Sequence, residues 1–329
     1  MRLKQVSLGI VSFLLFISCG KDSSPTAPIV PVGTELVFIA GDSTYFWESV
    51  RAGMEIGAAE LLLNATWVYA KPRDAATQIN LLNQYREAKV AGIALLPLDP
   101  AGQSSLISEI DTSGIPVVTL DTDVPGSKRF CHLGTDPVLV GKTMADSLAV
   151  LLSGAGKVAV FVGDRNAWGT TERLNAFTSE AQAQGLSVET VKEDGGDISL
   201  AKQNVRDALN TYSDLAALVG INLHEAPAIA EVLAESGEPR TAKVVGYDYE
   251  KLTLDYLKAG RIDLCITPRP YSIGYLAANI LYDVLRVGET EALKLIPEDK
   301  HIYPGIYIVN SATAAEFESY LSSLGILPL

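Results

Sequence analysis

From residue 35 onward, short apolar runs alternate with segments whose apolar positions recur at helical spacing, the pattern of a parallel sheet covered by helices. Residues 36–40, 67–70, 93–96 and 117–120 read as strands. Between them, 46–63 carries Val50, Met54 and Leu61 on one face, and 75–89 and 103–113 read as further helices. Gly92, Gly114 and Pro116 stand where such elements break.

A second series follows residues 124–136, which read as the passage to another domain. Its strands are 158–162, 187–191, 215–220 and 243–247, with helices at 171–184, 200–212 and 226–236, so the halves look like two copies of one architecture. After an apolar run at 262–267, the helix 271–287 and the segment 303–310 are too little for a third domain. The expected fold class is therefore α/β, with two Rossmann-like lobes of parallel sheet joined by a multi-strand hinge. One lobe takes 35–134 plus 268–300, the other 135–267 plus 301–329. In open α/β sheets ligands sit at the carboxyl ends of the strands, and two such sheets facing across a hinge make a cleft.

The N-terminus adds export to this picture. Arg2 and Lys4 precede an uncharged apolar stretch, 6–17, too short to span a bilayer, so 1–18 reads as a secretory signal. Ser18 directly before Cys19 resembles the lipobox of bacterial lipoproteins, with Phe16 where leucine is usual. That resemblance implies an acylated Cys19 and a membrane anchor, and the Ser/Pro/Thr-rich stretch within 19–34 suits a tether. Losing residues 1–18 removes two basic residues and no acid, leaving 24 basic against 39 acidic, a net charge of −15. Such a surface makes nucleic acid a poor partner. Cys131 and Cys265 could form one bridge, but buried free thiols are the expectation.

A long block carries a family resemblance. Gly114-Ile115-Pro116-Val117-Val118-Thr119-Leu120-Asp121, then Ser127-Lys128-Arg129, then Gly134-Thr135-Asp136 and Gly141, resembles the "GIPVVTxD…SKR…xGTDNxxxG" stretch of the ribose-binding-protein-like branch of periplasmic solute receptors, whose fold is the type I periplasmic binding protein fold. Val244 to Asp248 resembles "VVGxD", Pro270-Tyr271 with Gly274-Tyr275 resembles "QxPYxxGY", and Phe46-Trp47 resembles the aromatic pair of "PFW". The match spans about residues 36–317.

Carried over residue by residue, the resemblance makes Phe46 and Trp47 a platform for the C–H face of a sugar, and Asp121 and Asp248 carboxylates that accept from vicinal hydroxyls. Asn222 matches an amide able to donate and accept, with Glu225 the candidate if the loop is registered differently, and Arg173 matches an arginine of "RxxGF". Three positions depart: Thr122 and Thr171 replace arginines, and Pro268, beside Arg269, replaces glutamine, so Thr122, Thr171 and Arg269 are the candidates for altered specificity. The resemblance implies a monomeric, cofactor-free receptor that delivers a small polar solute, a monosaccharide first, to a membrane ABC permease. A ligand-sensing module for a membrane signalling partner is the alternative.

Enzyme readings fare worse. Gly41-Asp42-Ser43 resembles the nucleophile block of SGNH-type esterases, but such a serine needs a histidine in an Asp-x-x-His setting. The residues three before His132, His224 and His301 are Arg129, Ile221 and Glu298. No G-x-G-x-x-G opens the first helix and no P-loop is present. The scattered histidines suggest no metal site.

Overall fold

The computed structural model describes residues 30–235 and 241–326. The signal segment, Cys19 and most of the tether lie outside the described residues. The first lobe runs β1 (Glu35–Ala40), α1 (Tyr45–Glu60), β2 (Asn64–Tyr69), α2 (Ala75–Ala88), β3 (Gly92–Leu95), α3 (Pro100–Thr112), β4 (Val117–Leu120) and β5 (Cys131–Leu133). The second runs α4 (Pro137–Leu152), β6 (Gly156–Val162), α5 (Trp168–Ala183), β7 (Leu186–Glu193), α6 (Ile198–Thr211), β8 (Leu215–Gly220), α7 (Glu225–Glu235), β9 (Lys243–Tyr247), α8 (Lys251–Lys258) and β10 (Leu264–Thr267). The chain then returns to the first lobe with α9 (Pro270–Val287), α10 (Glu289–Ala292) and β11 (His301–Ile302), and ends in the second with β12 (Tyr307–Asn310) and α11 (Ala314–Ser323).

Two six-stranded sheets result, ordered β11-β5-β4-β3-β1-β2 and β12-β10-β9-β8-β6-β7. Each strand of one sheet thus has a counterpart at the same place in the other. All described pairings are parallel except β10 with β12, so the second sheet has an antiparallel edge where an all-parallel sheet was expected. Cores lie on both faces of each sheet. In β1, Leu36, Phe38 and Ala40 pack under α1 and α9, while Val37 and Ile39 pack under α2 and α3. This two-sided burial is why the strand reads as an unbroken apolar run.

Four helices, α2, α3, α4 and α6, start where an aspartate side chain supplies a missing acceptor. Asp74 accepts from Thr77 N at 2.7 Å, and Asp136 accepts from Val138 N at 2.9 Å with Pro137 in the first turn, where its missing N–H costs nothing. Three assignments differ from the expectation. The passage 124–136 contains β5, so the chain leaves the first lobe only at 134–136. The first lobe also extends past residue 300, because His301 and Ile302 pair with His132 and Leu133 of β5. Finally, α8 and α11 were not anticipated. The chain passes between lobes at 134–136, 268–269 and 303–306. Cys131 and Cys265 are buried free thiols in different sheets.

Candidate functional site

Residues beyond the strand ends of both sheets line one cleft of about 1500 Å³. The first lobe contributes Phe46 and Trp47 of α1 and, past β4, Asp121 and Thr122; the second contributes Arg173 of α5, Asn222 past β8 and Asp248 past β9.

The two aspartates are held alike. Asp121 N donates to Leu133 O at 2.9 Å and Asp248 N donates to Ile266 O at 2.8 Å, each tying the strand end to the next strand of its sheet. Arg173 donates from Nε to Ile221 O at 2.8 Å, and its guanidinium carbon lies 3.9 Å above the Tyr247 ring. Its charge reaches both carboxylates. Burial between the lobes nevertheless pushes Asp248 up to about 7, against the pull of the Tyr249 N–H at 2.8 Å and of Arg173, with Asp121 adding a further upward push. Asp121, the more exposed of the two, is raised too, first by desolvation within the cleft, with Arg173 opposing. Both carboxylates are open to the cleft but short of donors, so a ligand offering O–H groups would stabilise their charged forms.

Asn222 is already engaged at both ends of its amide. Its Oδ1 accepts from Gly163 N at 3.0 Å and its Nδ2 donates to Thr170 Oγ1 at 2.9 Å, which leaves one N–H and one lone pair for the cleft.

Other expected residues fall elsewhere. Thr171 turns its hydroxyl back to the Arg165 carbonyl and is not on the cleft wall. Arg269 lies on the 268–269 crossing, its guanidinium carbon 4.1 Å above the Tyr307 ring, outside the cleft. Glu225 is buried behind Asn222, whose N–H donates to its Oε2 at 2.9 Å. Trp47 reaches the cleft but is only 5% exposed and belongs largely to the core, whereas Phe46 beside it is half-buried. Ser43 lines the cleft, yet no hydrogen bond among the described residues links it to a histidine: His132 and His301 flank Asp123, and His224 pairs with Asp194.

The sequence reading passed over Thr170, Tyr247, His224 and above all Trp168, a cleft residue 53% exposed at the start of α5. Its signal was the repeat itself. The helix after the first strand of one lobe opens with Phe46-Trp47, and the helix after the corresponding strand of the other opens with Trp168.

The periplasmic binding protein domain family matches residues 34–290. The ribose import binding protein RbsB of Bacillus subtilis (strain 168) is 25% identical over 280 residues, covering 84% of this chain and 90% of that protein. Among solved structures, AraP, an arabinose binding protein from Geobacillus stearothermophilus, has a TM-score of 0.78 and 28% identity, covering 87% of this chain and 99% of its own. An ABC transporter solute binding protein from Agrobacterium vitis, bound with α-D-tagatopyranose, has a TM-score of 0.72 and 25% identity, covering 86% of this chain and 96% of its own.

Proposed function

We propose that this chain, which belongs to the periplasmic binding protein domain family, captures a monosaccharide between its lobes and releases it unchanged to a membrane permease. The observation that carries the reading is the pair Asp121 and Asp248, set in opposite lobes at matching strand ends with Arg173 in reach of both. Paired hydroxyls of a sugar give each carboxylate two donors, and Phe46 and Trp168 offer ring faces from either lobe for the C–H surface. The sugars named for the similar proteins, ribose, arabinose and tagatose, support the same class.

Contacts from both lobes exist together only when the cleft is shut, so ligand draws the open–closed equilibrium toward the closed form by its differential affinity. The closed form is what the permease reads. Export with acylation at Cys19 would keep the receptor beside that permease. A thermal-shift screen of pentoses, hexoses and ketoses tests the reading. A binder at 100 times its Kd adds about 2.7 kcal/mol of stability. A panel in which no sugar raises the midpoint, and none gives heat on titration, would overturn it.

A further inference from the structure

A second group of chemistry-bearing side chains stands beside the cleft, unused by sugar capture. Asp194 follows β7, and His224 and Glu225 lead into α7. One ligating atom from each lies within 4.8 Å of the others. His224 Nε2 is 2.8 Å from Asp194 Oδ1 and 3.6 Å from Glu225 Oε1. Nitrogen and oxygen ligands about 2.0–2.2 Å from one ion stand about 2.9–3.5 Å apart, so these atoms already approach the spacing of a coordination shell.

The cluster is also short of partners. Asp194 is 4% exposed and Glu225 1%, yet Asp194 Oδ2 and Glu225 Oε1 have no hydrogen-bond partner among the described residues. Their other oxygens are occupied: Asp194 Oδ1 accepts from Gly196 N at 2.8 Å and Glu225 Oε2 from Asn222 N at 2.9 Å. One imidazole N–H directed at Asp194 cannot also serve Glu225, and an idle buried carboxylate oxygen is costly. A cation bound by His224 Nε2, Asp194 Oδ1 and Glu225 Oε1 gives the idle Glu225 oxygen a partner.

We propose that Asp194, His224 and Glu225 form a site for a divalent transition-metal ion in the cleft wall. One imidazole with two carboxylates suits zinc, and three protein ligands leave a further coordination position. Of the three side chains only His224 is open to solvent, and it lines the cleft, so the remaining position takes water or an oxygen atom of whatever occupies the cleft. The ion would also stiffen the sugar-facing loop, because Glu225 Oε2 holds the backbone of Asn222, whose amide joins Gly163 to Thr170.

The site does not depend on the sugar reading, since the ion enters with the cleft empty. Chelator-stripped protein is titrated with zinc by calorimetry, without sugar, and with cobalt followed by visible absorption. The expected result is one ion per chain, visible bands of nitrogen- and oxygen-bound cobalt, and a raised unfolding midpoint. His224→Gln, at a partly exposed position, keeps its circular dichroism spectrum and loses at least about tenfold in zinc affinity. Glu225→Gln behaves likewise and confirms the buried ligand. Absence of stoichiometric zinc in the parent, or equal affinity in His224→Gln, overturns the proposal and leaves an ordinary Asp194–His224 ion pair.

Discussion

Asp121 and Asp248 are counterparts. Each is the first residue beyond a strand, β4 and β9 hold the same place in their sheets, and both residues have a left-handed backbone, with φ of +60° and +67°. That region costs a residue with a side chain about 1 kcal/mol or more, aspartate being among the more tolerant. The fold therefore carries strain at two matching points, and both line the cleft.

Charge adds to that strain, and its sign gives the first prediction. A carboxyl raised to about 7 keeps in the native state a proton that the unfolded chain releases near pH 4, so Asp248 makes stability fall as pH rises from about 4 to about 7. Asparagine has no such charge and accepts the left-handed backbone. Asp248→Asn should unfold at a higher temperature than the parent at pH 8, with the gap closing toward pH 4, while sugar affinity drops on the order of a hundredfold. Calorimetric scans at the two pH values check it, and a variant less stable at pH 8 would contradict it.

A glycine on one helix governs a cation on the next. A Cβ on Gly141 of α4 would meet Arg173 O at 2.3 Å and Phe177 N at 2.8 Å, so the close crossing of α4 and α5 requires the bare backbone. Gly141→Ala should cost about 1–3 kcal/mol in denaturant unfolding. It should also weaken sugar binding, because pushing α5 away lifts Arg173 from its place over Tyr247. An unchanged midpoint would show that the crossing yields freely.

Neighbouring aromatics divide two duties. Trp47 packs 6.4 Å from Trp67 within the first lobe's core, while Phe46 lies edge-on to it at 5.2 Å and stays half-buried. Trp47→Ala should therefore cost about 3–5 kcal/mol of stability. Phe46→Ala should leave the midpoint nearly in place and reduce sugar affinity about tenfold. Reversed effects would move the stacking face to Trp47.

These contrasts show what was legible beforehand. The parallel sheets could be read because strands buried on both faces are unbroken apolar runs, and Asp121 because it ends the long Gly114–Asp121 match. His301–Ile302 could not, since two residues carry no period and their place depends on pairing with β5. Thr171 and Arg269 were misplaced for another reason. A side chain's direction at a turn is set by local backbone acceptors and by rings such as Tyr307, which sequence spacing does not encode.

Near the 303–306 crossing, Asp123 gathers Arg129, which is bound through Nε and Nη2, His301 at 3.1 Å and Thr119 at 2.9 Å. Arg129 holds its carboxyl well below the usual range, and burial pushes the adjacent His132 down to about 4, so that imidazole is neutral at pH 7. A depressed carboxyl contributes stability that is present above about pH 4 and lost as pH falls through its native value. Asp123→Asn strands a buried guanidinium and should cost about 3–5 kcal/mol at pH 7. The deficit relative to the parent should shrink below pH 4 in urea titrations, and a deficit independent of pH would assign it to packing instead.

Trp168 gives the most direct view of closure. It is 53% exposed at the cleft, whereas Trp47 is 5% exposed and Trp67 half-buried, so a sugar that draws the lobes together changes the surroundings of Trp168 most. Sugar should therefore shift the protein's tryptophan emission. In Trp168→Phe the shift should vanish while the calorimetric Kd stays within about threefold, because phenylalanine keeps a face for stacking. Trp168→Ala should lose about tenfold or more in affinity with little change in unfolding midpoint, since an exposed ring adds little to the core. If Trp168→Phe kept the whole emission change, the reporting ring would be Trp47. The ligand would then rest on the α1 side alone, and the matching aromatic at the start of α5 would have no part in capture.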